Sequence, residues 1–313
     1  MNAVIIFGAG GFLGKNLKKQ LSANILYKNY KIISFTKKNL NLENSEEVNK
    51  KLNNIKENYN VKKIFHCAVV YNSAEWVKKN PAQISYKNNL INLNAIKYSQ
   101  LHFPKCIFIC MLSYALYNKY NTEKKLFNDY KATKMLNSYS DTKFNLLKYC
   151  NNFYEQYKFN SICFVISNLY GNEKITNEKH HFVSSMIKKI NLANKLKLKK
   201  LTLKGNFTQK RDFLHIEDAC LAIIKISRLK TSKGVNIINL GYGKSFSMKY
   251  FIDKIIKLTK YKGDLEIISQ GEIIDKKINI NKLKNLINWK PKITIHEGLK
   301  KTVIWSLKNQ KKI

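Results

Sequence analysis

Short apolar runs alternate along this chain with longer stretches in which apolar residues recur every three or four positions. The run Ala3-Val4-Ile5-Ile6-Phe7 predicts a buried strand over 1–7, and the pattern after Gly14 a helix over 15–22. The same reading gives strands over 31–35, 63–70, 106–112 and 161–167, and helices over 45–57, 83–99 and 141–157. Strands separated by helices at this spacing form parallel βαβ units with right-handed crossovers. Strands as continuously apolar as Cys106-Ile107-Phe108-Ile109-Cys110-Met111-Leu112 suit a sheet covered on both faces. After Asn168 the rhythm breaks into shorter elements. The expected architecture is therefore α/β: a doubly wound parallel sheet over 1–167, to which 236–258 returns, and a smaller substrate-binding lobe over 168–313.

Gly8-Ala9-Gly10-Gly11-Phe12-Leu13-Gly14 links the first strand to the first helix. Glycine allows the turn, lets the backbone approach a pyrophosphate, and lets helix and strand pack closely. The helix N-terminus then presents unpaired N–H groups to the phosphates. In this strand–turn–helix context the segment predicts a Rossmann-type dinucleotide site built from Gly8, Gly10, Gly11, Phe12, Leu13 and Gly14, with Ala68 from the third strand. The second strand ends in Thr36-Lys37-Lys38, without the carboxylate that binds the ribose of NAD. Lysine there favours NADP(H), with NAD(H) the alternative.

Tyr139 and Lys143 are four apart, so they share a helical face. A phenol that titrates near ~10 needs a neighbouring positive charge to exchange protons at neutral pH. Tyr139 would then move a proton to or from a carbonyl oxygen while hydride moves at its carbon, and Ser113 would hydrogen-bond that oxygen. Tyr130 and Lys134 repeat the spacing. Tyr139 is preferred because it leads into the long 141–157 helix and lies 26 residues after Ser113, against 17 for Tyr130.

Composition changes this picture little. The net charge of +37 raises nucleic acid as a partner, but Arg211 and Arg228 are the only arginines, and lysine is spread over the whole chain. Nucleic-acid readers lean on arginine forks, so a solvated lysine-rich surface is the preferred reading, and a catalytically idle nucleic-acid binder the rival. No apolar run reaches membrane-spanning length, and the start of the chain does not read as a signal peptide, so a cytoplasmic protein is expected. The six cysteines form no CxxC pair and are read as buried reduced thiols rather than metal ligands.

Gly8…Gly11…Gly14, Ser113-Tyr114-Ala115-Leu116-Tyr117, Tyr139…Lys143, Asn168-Leu169-Tyr170-Gly171 and Gln209-Lys210-Arg211-Asp212-Phe213 stand in an order that resembles the extended short-chain dehydrogenase/reductase (NAD-dependent epimerase/dehydratase) family. Within it, the chain looks most like the GDP-L-fucose synthase branch. The resemblance implies an NADPH-dependent reduction of a 4-keto sugar on a nucleoside diphosphate, carried out by a homodimer. It places Asn168, Lys189 and Arg211 against sugar or diphosphate, and His181 where that branch keeps its epimerisation acid. That branch also carries a cysteine base two residues after its serine, where this chain has Ala115. The resemblance therefore points to a 4-ketoreductase more than to a full epimerase-reductase. A 4-epimerase or dehydrogenase with retained NAD is the enzymatic alternative.

Overall fold

A computed structural model describes residues 1–117, 137–173, 181–229, 233–268 and 275–309. The sheet domain begins with β1 (Asn2–Phe7), α1 (Phe12–Ser22), β2 (Lys31–Phe35), α2 (Ser45–Asn58) and β3 (Asn60–His66). It continues through α3 (Ala74–Lys79), α4 (Pro81–His102), β4 (Ile107–Ser113), α5 (Ser138–Tyr157) and β5 (Ser161–Ile166). There follow β6 (Asn168–Tyr170), α6 (Phe182–Lys195), β7 (Lys200–Lys204), β8 (Lys210–His215) and α7 (Ile216–Ile226). The remaining elements are β9 (Val235–Leu240), β10 (Ser245–Ser247), α8 (Met248–Thr259), β11 (Asp264–Ile268), β12 (Asp275–Lys276), α9 (Asn281–Ile287) and α10 (Ile295–Asn309).

Six strands form one parallel sheet in the order β2-β1-β3-β4-β5-β9. The chain leaves β1 toward β2 and returns on the other side of β1 as β3. This is a Rossmann-like topology, and ligands bind in the crevice at such a reversal, beyond the carboxyl ends of the strands. Apolar residues on both faces make the core, with Ile5, Ile64, Phe108 and Phe164 fully buried.

A second apolar core gathers Tyr170, Ile187, Phe213, Phe251 and Leu299 from β6, α6, β8, α8 and α10. Of the stretch 236–258, β9 lies in the large sheet beside β5, whereas Phe251, Ile252 and Ile255 of α8 lie in this second core. Among the described residues, no helix is long and apolar enough to cross a membrane.

Two boundaries differ from the sequence pattern in ways that matter for the site. The strand expected over 63–70 is paired only over Asn60–His66. Beyond it, the backbone of Val70 is taken by the side chain of Asn88 instead of a neighbouring strand. The helix expected from 141 starts at Ser138, because Asn137 caps it: its side chain accepts the Ser140 N–H at 3.0 Å. That earlier start puts Tyr139 in the first turn of α5.

Candidate active site

The first loop is built by contact with the third strand. Gly8 sits at φ +77°, and a Cβ there would lie 2.5 Å from the Ala68 backbone nitrogen. Gly14 is held as tightly, since its Cβ would fall 2.2 Å from the Gly8 carbonyl oxygen. Loop, helix and the end of β3 thus close on one another only where side chains are missing. Gly11 caps α1 without any side-chain hydrogen bond, and the first turn holds no acidic residue. The N–H groups of Phe12, Leu13 and Gly14 therefore have no partner within the helix, which is the arrangement an anion needs.

Gly10 lies against Thr36, whose methyl would be 3.3 Å from an added Cβ. The Thr36 N–H donates to Asn39 Oδ1 at 2.7 Å, curling the chain at the end of β2. Lys37 is committed to Glu43 at 3.0 Å, while Lys38 is exposed. Of the two lysines considered for a 2′-phosphate, Lys38 is the one without a carboxylate at hand among the described residues.

At the carboxyl end of β4 the structure brings Ser113, Tyr139 and Lys143 together. Ser113 is near enough to the Tyr139 hydroxyl to favour its anion, and Lys143 Nζ stands 5.9 Å from the Tyr139 ring centroid. Lys143 donates to the Met111 carbonyl oxygen at 2.7 Å, so its ammonium is tied to the strand that carries Ser113. Burial pushes the Tyr139 hydroxyl well above the ordinary phenol range; neighbouring Tyr71 adds to this and Ser113 opposes it. Burial also lowers Lys143 to about 8, with the thiols of Cys110 and Cys67 pulling the other way. Apart from bound ligands, then, Tyr139 is a protonated donor beside a cation that is easily discharged. Tyr130 and Lys134, the alternative pair, lie outside the described residues.

Buried asparagines and a histidine, which the sequence reading did not single out, hold this set in place. His66 Nε2 and Asn92 Oδ1 are 3.0 Å apart, and Asn92 Nδ2 donates to the Thr142 carbonyl at 3.1 Å, one residue before Lys143. Burial lowers His66 to about 4, so it serves as a neutral strut. The signal was available: Asn88 and Asn92 share a helical face with the buried Ile84, Ala95 and Ser99.

His181 is the residue preceding α6, and its ring is 5.3 Å from that of Phe12 in the first loop. Its Nδ1 lies 2.6 Å from Glu173 Oε1, and its N–H donates to Glu173 Oε2 at 3.1 Å. Burial would raise Glu173, but the hydrogen bonds and charge of His181 outweigh it and hold the carboxyl below its usual range. Glu173 is a second residue that the sequence reading missed.

The remaining residues are less concentrated. Asn168 is exposed on β6, with Nδ2 donating to the Asp212 carbonyl at 2.9 Å. Arg211 on β8 is half-buried, and its guanidinium donates to Gln209 Oε1 and to the Lys210 carbonyl. Lys189 is exposed on α6, about 12 Å along the helix axis from His181 at 1.5 Å per residue. The structure thus joins His181 directly to the first loop but leaves Lys189 apart from it.

Five of the cysteines are buried, and Cys67 is half-buried. The spacing in sequence did not show that Cys110, Cys150 and Cys163 converge, with their Sγ atoms within 4.8 Å of one another between β4, β5 and α5.

Comparisons with known proteins bear on the family and the fold. The chain is 23% identical to a GDP-mannoheptose C4 reductase from Campylobacter jejuni solved with NADP bound, with a TM-score of 0.81 and 98% of each chain covered. It is 27% identical to a GDP-L-fucose synthase from Sinorhizobium fredii over 71% of both chains. It is also 39% identical to a UDP-glucuronate 4-epimerase from Thermodesulfobacterium geofontis, over 36% of this chain and 34% of that one. The model of the NAD dependent epimerase/dehydratase family matches residues 4–241, from β1 through β9, and the chain belongs to that family.

Proposed function

We propose that this protein reduces the 4-keto group of a nucleoside-diphosphate deoxysugar, with a GDP-sugar as the favoured substrate and NADPH as the reductant. The observation that carries the proposal is the convergence of Ser113, Tyr139 and Lys143 beside the crevice between β1 and β3. The first loop fits a dinucleotide, since Gly8 and Gly14 leave no room for side chains and α1 opens without a side-chain cap. When bound there, the reduced nicotinamide supplies hydride to the sugar carbon. Ser113 and Tyr139 hydrogen-bond the keto oxygen, Tyr139 gives it a proton, and the Lys143 ammonium stabilises the phenolate that remains.

Two further features favour reduction over epimerisation. Burial keeps Tyr139 protonated, the form that a ketone reduction consumes. Position 115 is an alanine whose N–H donates to Ser113 Oγ at 3.1 Å, so it supplies no base beside the sugar. Buried polar atoms without partners among the described residues sit next to site residues in the chain: Asn72 Oδ1, Ser138 Oγ and Asn172 Oδ1. Sugar hydroxyls would give such atoms the hydrogen bonds that native structures rarely omit.

A 4-epimerase that retains NAD is the second reading, favoured by the 39% identity to an epimerase over a third of the chain. Net NADPH consumption with a keto-sugar nucleotide supports the reductase; interconversion of sugars with no consumption supports the epimerase. We also propose that the protein is a cytoplasmic homodimer; light scattering would show the dimer as twice the chain mass.

The titration of Lys143 fixes a pH dependence. Below about 8 its ammonium is present, and above that value it is lost, so kcat/KM for the keto sugar should fall as pH rises through about 8. Tyr139 keeps its proton well beyond this point and does not set the limb. A profile flat to about pH 10 would contradict the role given to Lys143.

Cofactor choice is testable at Lys38. Replacing it with glutamate should raise the KM for NADPH about tenfold and leave that for NADH nearly unchanged, as expected if its charge meets a 2′-phosphate. Equal effects on both cofactors would remove Lys38 from the site.

A further inference from the structure

Asn88, buried on α4, spends both ends of its amide on one residue. The Val70 N–H donates to Asn88 Oδ1 at 2.7 Å, and Asn88 Nδ2 donates to the Val70 carbonyl at 3.0 Å. Strand pairing has already ended at His66, so this clamp is what fixes the backbone there. The next residue, Tyr71, is carried by it to the active site. Its ring centroid lies 4.9 Å from that of Tyr139, the planes inclined at 57°.

Asn92, one turn further along the same face of α4, holds the other side of the site through the Thr142 carbonyl. One helix therefore sets both Tyr71 and the segment bearing Tyr139 and Lys143. A tyrosine on a loop after a strand is free to point to solvent, yet Tyr71 is half-buried, and burial pushes its own hydroxyl up. The dinucleotide loop and the sheet give no reason for an aromatic side chain at this point.

Resting on the function proposed above, we propose that Tyr71 is a positioning residue for Tyr139: clamped by Asn88 through Val70, its ring fixes the phenol beside Ser113 and keeps water off it. Among the described residues, the groups around Tyr139 are Lys143 on α5, Ser113 at the end of β4, and Tyr71 itself. A tilted aromatic pair at this separation is attractive beyond the area that it buries. Drying a phenol disfavours its anion, so the cover also keeps the proton donor charged with its proton.

The test reads Tyr139 directly, by carbon-13 NMR of protein labelled at the tyrosine ζ carbon, with the resonance assigned by its loss in Tyr139→Phe. Turnover with a 4-keto-sugar nucleotide is measured alongside. Tyr71→Ala should bring the Tyr139 titration down by about one pH unit or more, and Tyr71→Phe, which keeps the ring and removes only the hydroxyl whose charge also raises Tyr139, should bring it down by less. Asn88→Ala should move it in the same direction as Tyr71→Ala. In turnover, Tyr71→Ala should lower kcat by about tenfold or more with the KM for NADPH held within about twofold, while Tyr71→Phe keeps most of the activity.

If Tyr71→Ala does not fold, Tyr71→Leu makes the same comparison with apolar bulk retained. The inference is overturned if the Tyr139 titration is unmoved by removing the ring, or if Tyr71→Phe is as impaired as Tyr71→Ala. A parent protein that reduces no keto sugar defeats the functional proposal, yet the titration still decides the role of Tyr71.

Discussion

Tyr139→Phe should abolish reduction, lowering kcat by about a thousandfold or more, while the dissociation constant for NADPH changes by no more than about twofold. The substitution removes one oxygen and keeps the ring that packs against Tyr71 and lies near Lys143. What disappears is the proton donor and one of the hydrogen bonds on the keto oxygen. A positioned general acid contributes about 100- to 10,000-fold, and the Ser113 hydrogen bond alone leaves the developing charge poorly met. NADPH oxidation followed by absorbance, with binding followed by fluorescence, separates the two effects. Full activity in this variant would move the chemistry to Tyr130, the other tyrosine with a lysine four residues on.

Gly14→Ala should be nearly as damaging, but at the binding step. The new Cβ would meet the Gly8 carbonyl oxygen at 2.2 Å, and the atoms nearest to it, from Gly8 and Ala9, are all backbone. Nothing flexible can turn aside, so the loop must shift, and the N–H groups that would face the pyrophosphate shift with it. An affinity loss of about 100-fold for NADPH, or about 2.8 kcal/mol, is expected, with turnover falling in step. Gly10→Ala is the milder comparison: its Cβ would stand 3.3 Å from the end of the Thr36 side chain, which can give way. Circular dichroism establishes that each variant is folded. A Gly14→Ala protein that binds NADPH as tightly as the parent would mean that the first loop is not the dinucleotide site.

How much of this was readable beforehand depends on what kind of signal each feature leaves. The parallel sheet was legible because buried strands such as Ile107–Ser113 are apolar without interruption and come at βαβ spacing. The glycine loop was legible because its closest approaches, at Gly8 and Gly14, exclude every other residue type. Element ends were less so, since they are set by single side chains: Asn137 starts α5 three residues before the apolar pattern does, and Asn88 takes over the backbone where β3 was expected to continue.

The site shows the same division. Tyr139 and Lys143 sit within one helix, where spacing alone puts them on a common face. Their neighbours arrive from far along the chain. Tyr71 reaches Tyr139 from beyond the end of another strand, and Glu173 reaches His181 from eight residues away. No local pattern marks such partners. The charge of +37 says little about the fold, since the core is built from apolar residues and the close contacts of the first loop from glycines.

The most direct test of the reductase account follows one hydrogen. Protein is mixed with NADPH deuterated on the reactive face of the nicotinamide and with a 4-keto-6-deoxysugar attached to GDP, and the sugar product is analysed by NMR and mass spectrometry. The account requires one deuterium at C4 of the product for each NADPH oxidised. Products without deuterium at C4, formed while NADPH remains unoxidised, would contradict it.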